Sequence, residues 1–175
     1  MLMNITQEKA SELYAEYSPY IHRTALLLTK SLALADDITQ EVFLQVFKKF
    51  EQYDQSKPIK PWLYTITVNT TRNFLRKQKW LSFVGILPEK NGAWLEETIL
   101  KTEEEKELWM EIQKLNQNHK EIIVLHFYSG LKLQEIADIL QIPLGTCKSR
   151  YHAALTALRK VYKPATKGEN LYEII

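Results

Sequence analysis

The sequence predicts an all-α protein of two small helical domains joined by a linker, and three observations carry that expectation. Apolar residues recur at helical spacing over long stretches, alternating β-branched runs are scarce, and the 175 residues include only five glycines and six prolines. Periodicity lapses from Leu81 to Thr102, a stretch containing Gly85, Pro88, Asn91 and Gly92. Domains are therefore expected at residues 1–80 and 103–175, with the linker over 81–102.

A first helix is expected from a cap at Asn4 or Thr6 to about Lys30, with Leu13, Tyr17, Ile21, Thr24 and Leu28 along one side. Pro19 should kink or divide it. The next helix, Ala33 to about Gln52, has an unusually wide apolar sector. Leu34, Ile38, Val42, Val46 and Phe50 form one stripe, Phe43 and Phe47 widen it, and Leu44 lies beyond. One domain core needs a stripe of roughly 100°, so the surplus predicts contact on a second side. Asp37, Glu41, Gln45 and Lys48, with Gln40 near the border, form the remaining polar strip, which is either a solvated face or part of that contact.

Glu51 to Pro61 reads as a loop, and a third helix is expected from Pro61 or Trp62 to about Trp80. Thr65, Asn69, Arg72, Arg76 and Lys79 stack on one of its faces, and Leu63, Ile66, Thr70 and Phe74 on another. From Gln55 to Pro88 no acidic residue occurs, against Lys57, Lys60, Arg72, Arg76, Lys77 and Lys79. Tyr53, Trp62, Tyr64 and Trp80 are interleaved with this charge, a composition able to combine phosphate attraction with base stacking on single strands. Taken singly, each of these aromatics reads more readily as core. The linker also carries apolar residues, Phe83, Val84, Ile86, Leu87, Trp94, Leu95, Ile99 and Leu100, which a flexible polar tether would lack.

In the C-terminal half, Glu103 to Leu115 reads as a helix with an acidic start, and Asn116-Gln117-Asn118 as a break and cap. A further helix is expected over Lys120 to Tyr128, burying Ile122, Ile123, Leu125 or Phe127 and ended by Ser129-Gly130. Leu131 to Lys160 then reads as a short helix, a turn at Gln141-Ile142-Pro143 and a longer helix from about Gly145-Thr146. Cys147, Tyr151, Ala154 and Leu158 recur as one core-facing stripe. Gly145, Ser149, His152, Thr156 and Arg159 fall on the opposite side, flanked by Lys148 and Arg150. Such a pair of helices occurs in many proteins, but its free face is small and basic, which suits a DNA major groove. The net charge of +2 hides this distribution: from Ile139 to Gly168 there is no acidic residue, while six lysines and arginines fall there.

Composition and residue spacing argue against other classes. There is no glycine-rich phosphate loop, and His22, His119, His126 and His152 show no metal-ligand spacing with the lone Cys147, so neither an enzyme nor a metal or cofactor is expected. Cys147 reads as a small buried side chain. No signal peptide precedes the first helix, and the run Ala25 to Leu28 is far below spanning length, which predicts a soluble cytoplasmic protein.

Three segments in order resemble motifs of the extracytoplasmic-function sigma factors, and the likeness runs from roughly Leu13 to Lys163. Ala35-Asp36-Asp37-Ile38-Thr39-Gln40-Glu41-Val42-Phe43 resembles the helix that docks on the polymerase clamp. Pro61-Trp62-Leu63-Tyr64-Thr65-Ile66-Thr67-Val68-Asn69, with Asn73-Phe74-Leu75-Arg76, resembles the −10 element helix. Ile142-Pro143-Leu144-Gly145-Thr146-Cys147-Lys148-Ser149-Arg150 resembles the −35 reader. The resemblance implies a region 2-like and a region 4-like domain, with core bacterial RNA polymerase and promoter DNA as partners. It also implies an anti-sigma factor, membrane-anchored for many members, but no small-molecule substrate, cofactor or catalytic step of the chain's own. For polymerase binding it implies Asp37, Gln40 and Glu41, beside an apolar surface of Phe43, Leu44 and Phe47. For the −10 element it implies the loop Tyr53 to Lys60, with Tyr53, Lys57 and Lys60, capturing a flipped base, and Asn69, Asn73 and Arg76 on the adjoining helix; charge, aromatic content and helical spacing add Trp62, Thr65, Arg72 and Lys79. For the −35 element it implies Lys148, Ser149, Arg150 and His152, and position along the same helix adds Thr146 and Arg159. His152 and Ala153 stand where many relatives carry an additional arginine.

Two other classes fit parts of the chain. An autonomous helix-turn-helix regulator would use Leu131 to Lys160 on an operator and the N-terminal helices to dimerise. An interaction protein without a DNA role would leave both acid-free basic segments unexplained. The combination of Asp37 to Glu41 with the Pro61 to Arg76 helix separates the sigma reading from these.

Overall fold

A computed structural model describes residues 5–84 and 103–161. The apolar linker residues from Ile86 to Leu100, and Lys163 and Lys167 of the basic tail, lie outside the described residues. Helices form every regular element among the described residues. The chain divides into two compact units, Met1–Gly92 and Ala93–Ile175.

In the first unit, α1 (Gln7–Thr29) begins where Thr6 Oγ1 accepts the Lys9 N–H at 3.3 Å. It ends at Lys30, left-handed at φ 59°, whose N–H donates to the Leu26 carbonyl at 2.9 Å. Pro19 does not divide this helix: it sits inside it on the solvent side, where water can take the carbonyl a proline leaves without a donor. α2 (Leu32–Lys49) starts one residue earlier than expected because Ser31 Oγ accepts the Leu34 N–H at 3.3 Å, and its end tightens into a 3₁₀ turn, Phe50–Gln52.

α3 (Ile59–Phe83) is longer than predicted at both ends. The first amides of a helix have no internal acceptor, so Pro61 fits as the third residue and the helix can begin before it. At the other end no breaker precedes Gly85, so Leu81 to Phe83 continue the helix instead of opening the linker.

The three helices pack on one another around Leu13, Ile21, Ala25, Leu28, Ile38, Val42, Val46, Leu63 and Val68. Thr67, Thr70 and Thr71 are buried with them. Their hydroxyls are satisfied: Thr67 and Thr71 each donate at 2.8 Å to the carbonyl four residues back, and Thr70 accepts from Gln45 Nε2 at 3.3 Å. His22 Nε2 and Asp36 Oδ1, 2.8 Å apart, tie α1 to α2.

The second unit contains α4 (Glu103–Lys114), α5 (Gln117–Ile123), a π turn (Val124–Tyr128), α6 (Leu133–Leu140) and α7 (Leu144–Val161). Asn116 caps α5, its Oδ1 accepting the His119 N–H at 2.9 Å, so this helix starts three residues before Lys120. It then widens: the Ser129 N–H reaches back to the Val124 carbonyl at 3.1 Å, and Ile122, Ile123, Val124 and Leu125 are all buried. Four consecutive apolar residues exceed what one α-helical stripe can bury. Gly130, at φ 66°, makes the left-handed step after this segment.

α6 starts with the Glu135 carboxylate accepting the Lys132 N–H at 2.7 Å. It ends at Gln141, left-handed at φ 55°, while the Ile142 N–H bonds the Ala137 carbonyl at 3.0 Å. The six-to-one bond marks a Schellman ending. The break is thus made at Gln141, and Pro143 only prevents continuation. α7 then packs Cys147, Tyr151, Ala154, Leu155 and Leu158 inward against α4, α5 and α6.

Candidate functional surfaces

Three exposed faces collect the chemistry anticipated from the sequence. On α2, Asp37, Gln40 and Leu44 are exposed at helical spacing, and Glu41 and Phe47 are half-buried at the edges of that face. Leu44 is 59% exposed, whereas Phe43 is only 2% exposed and lies with its ring 4.8 Å from Tyr14 of α1 and 5.7 Å from Phe47. Phe43 is therefore a core residue of its unit, and the expected apolar contact surface narrows to Leu44 and the edge of Phe47. The polar strip is divided too. Gln45 Nε2 bonds Glu41 Oε1 at 3.0 Å as well as Thr70, which draws Gln45 into the α2–α3 seam.

The loop before α3 is locally tied. The Asp54 carboxylate accepts from both the Ser56 N–H, at 3.1 Å, and the Ser56 hydroxyl, at 2.7 Å, and these bonds hold its pKa below the ordinary carboxylate value. Lys57 Nζ lies 3.6 Å from Asp54 Oδ2, and the Tyr53 hydroxyl donates to the Lys57 carbonyl. Tyr53 and Trp62 pack against each other with centroids 4.9 Å apart and ring planes tilted by 31°, with Phe50 against both. Tyr17 of α1 is pushed up to about 12 by its burial, then by its hydrogen bond to Glu16 and by the charges of Glu16 and Tyr53. Lys57 of the loop is exposed and Lys60, in the first turn of α3, is half-buried, so two cations adjoin in sequence an aromatic cluster that is already paired.

Along α3, Asn69, Asn73, Arg76 and Lys79 are exposed, while Thr65 and Arg72 are half-buried. The Thr65 hydroxyl donates to the Pro61 carbonyl at 2.9 Å, which occupies its donor, and an Arg76 guanidinium N–H donates to Asn73 Oδ1. Tyr64 is buried at 2% exposure and is part of the core. Phe83, expected in the linker, belongs to α3 and is exposed, as is Trp80. The signal was present as spacing: Asn69, Asn73, Arg76, Trp80 and Phe83 advance by four, three, four and three residues.

On α7, Gly145, Lys148, Ser149, His152, Thr156 and Arg159 are exposed along one stripe, with Thr146 and Arg150 half-buried at its flanks. Cys147 is buried opposite them, and desolvation pushes its thiol pKa up, with the Arg150 charge pulling partly back. Among the described residues, no group of three His, Cys, Asp or Glu is arranged to hold a metal ion, and no helix is long and apolar enough to cross a membrane.

The family model for Sigma-70 region 2 matches residues 13–81, and that for Sigma-70 region 4 matches residues 112–160. The Bacillus subtilis ECF RNA polymerase sigma factor SigW is 27% identical over 173 residues, spanning 88% of this chain and 89% of its own. SigV, an RNA polymerase sigma factor of the same organism, is 31% identical over 138 residues, spanning 79% of this chain and 81% of its own. The fold is similar to that of the sigma factor RpoE of Bartonella quintana, solved with the anti-sigma factor NepR, with a TM-score of 0.73 at 22% identity over 92% of this chain and 100% of that one. The chain, with its region 2 and region 4 matches in that order, belongs to the extracytoplasmic-function RNA polymerase sigma factors.

Proposed function

We propose that this chain is an alternative sigma factor that binds core bacterial RNA polymerase and directs promoter-specific transcription initiation through −35 and −10 recognition. The observation that carries the reading is the pairing of family and surface. The region 2 match, residues 13–81, holds an exposed α2 face and a basic α3 stripe, and the region 4 match, residues 112–160, holds a basic α7 stripe. An autonomous operator-binding regulator needs neither of the first two.

In this function residues 1–83, to the end of α3, form the polymerase-binding and −10 domain, 84–102 the linker and 103–175 the −35 domain. Asp37, Gln40, Glu41, Leu44 and the edge of Phe47 meet the polymerase. Lys57, Lys60, Arg72, Arg76 and Lys79 neutralise phosphates of the −10 region, and Thr65, Asn69 and Asn73 supply shorter polar contacts along the same helix. Tyr53 and Trp62 shape the base-capturing loop. Lys148, Ser149 and His152 face the major groove of the −35 element, with Thr146, Arg150 and Arg159 alongside. Base capture offsets the unstacking cost of strand opening.

The chain has no bond chemistry of its own; nucleotidyl transfer belongs to the polymerase. It works in the cytoplasm, where polymerase and promoter are. Its other partner is an anti-sigma factor, a class taken from the Bartonella quintana complex with NepR, and a membrane anchor on that partner would hold the chain at the membrane.

The test is runoff transcription by core polymerase with the purified chain on promoters mapped from transcript start sites after brief overexpression. Specific transcripts are expected, and Gln40→Ala with Glu41→Ala should weaken polymerase association without changing DNA binding by the C-terminal unit. Tight binding to a palindromic operator, with no change in polymerase promoter choice, would refute the reading.

A further inference from the structure

We propose that Trp80 and Phe83, at the C-terminal end of α3, form a stacking platform for unpaired bases of promoter DNA. The inference rests on the sigma-factor reading and adds residues and a contact type to its −10 surface. Four aromatics in the basic segment are candidates for base stacking from composition, and the structure separates them. Tyr64 is in the core, and Tyr53 and Trp62 are packed against each other. Trp80 is 61% exposed, and Phe83, three residues on, is 89% exposed.

The two rings continue the polar stripe of α3. Asn69, Asn73, Arg76, Trp80 and Phe83 are all exposed and lie on one side of the helix. At 1.5 Å per residue the stripe is ~21 Å long. Exposed Lys77 and Lys79 flank the rings, and no acidic residue occurs from Gln55 to Pro88. An apolar patch with cations and no acidic residue beside it along the helix is complementary to a polyanion that also has flat apolar faces. Single-stranded nucleic acid meets both conditions, because phosphates answer the lysines and bases answer the rings. Duplex DNA meets only the first, since its bases are already stacked.

The experiment measures anisotropy of a fluorescein-labelled oligothymidine, and of a duplex of the same length, with the full chain over a series of salt concentrations. Trp80→Ala with Phe83→Ala should weaken single-strand binding about fivefold or more while leaving duplex binding and the salt slope unchanged. Trp80→Phe with Phe83→Tyr should restore it, and Lys77→Ala with Lys79→Ala should lower the salt slope for both probes. The platform is overturned if the unsubstituted chain does not bind oligothymidine, if the double-alanine variant binds it normally, or if both probes lose affinity equally. A fall in that variant's melting temperature also overturns it, because the rings would then be packed against the chain itself. Runoff transcription by the unsubstituted chain separates the two levels. Transcription with unaltered oligothymidine binding in the double-alanine variant removes only the platform, whereas absence of transcription removes the sigma reading.

Discussion

Gly145→Ala should move stability and DNA binding in opposite directions. Gly145 is exposed in the first turn of α7, its φ is not positive, and a Cβ built there meets no heavy atom within 4 Å. Nothing inside the protein therefore requires glycine. Replacing a helical glycine by alanine gains about 0.5–1 kcal/mol, chiefly by restricting the unfolded chain, and the lower end applies to a first-turn position. For a unit of this size 0.5 kcal/mol corresponds to a rise in Tm of about 2–4 °C. The same methyl would stand at the leading end of the stripe formed by Lys148, Ser149 and His152, where it would hold α7 off the groove. Loss of one base or phosphate contact costs about 1–3 kcal/mol, roughly a five- to 150-fold weaker −35 interaction. Thermal unfolding followed by circular dichroism gives the first quantity, and anisotropy of a labelled −35 duplex with the reconstituted polymerase gives the second. A lower Tm would contradict the open space around Gly145. An unchanged affinity would show that the first turn of α7 does not approach DNA.

Phe43→Ala and Leu44→Ala, adjacent on α2, should part company. The first should cost about 3–5 kcal/mol of stability. The second should change stability by less than about 0.5 kcal/mol and show its effect in polymerase binding, checked by denaturant unfolding and polymerase pull-down. Arg150→Ala should cost about 1–3 kcal/mol of promoter affinity if the guanidinium reads a base, or lower the salt slope by about one if it meets phosphate; titrations at several salt concentrations distinguish these. Because burial raises the Cys147 pKa, its contribution to stability is complete below the unfolded thiol's value near 9 and is lost as pH rises toward the folded value. Unfolding midpoints should accordingly fall above about pH 9. Iodoacetamide should alkylate the native chain far more slowly than the urea-unfolded chain, with mass spectrometry as the readout.

Helix existence was legible because a repeating apolar stripe is a local property of sequence. The stripe Cys147, Tyr151, Ala154, Leu158 is buried as its spacing implied, and Thr6 and Asn116 cap the helices they precede. Boundaries were less legible. α3 begins before Pro61 because the first amides of a helix need no partner, and it continues past Trp80 because no breaker precedes Gly85, an extension hard to see since an apolar run in a helix resembles one in a linker. The turn at Gln141-Ile142-Pro143 is legible in sequence, but the residue that makes it is a left-handed Gln141, a conformation that a non-glycine residue does not advertise.

Within the candidate surfaces, the sequence by itself determined the order of the motifs, the charge distribution and the helix faces, since each depends only on residue spacing along one helix. Whether a side chain on those faces is available depends on what other helices bring to it, and that was settled by tertiary structure. Phe43 and Leu44 are equally apolar, yet Tyr14 from α1 covers one and nothing described covers the other. Gln45 was one polar residue in a solvated-looking strip until Thr70 of α3 supplied a partner. Of the aromatics scattered through the basic segment, packing consumed Tyr64 and paired Tyr53 with Trp62, leaving Trp80 and Phe83 exposed on the α3 stripe. A one-dimensional pattern specifies which way a residue points; burial requires the neighbour that long-range contacts alone deliver.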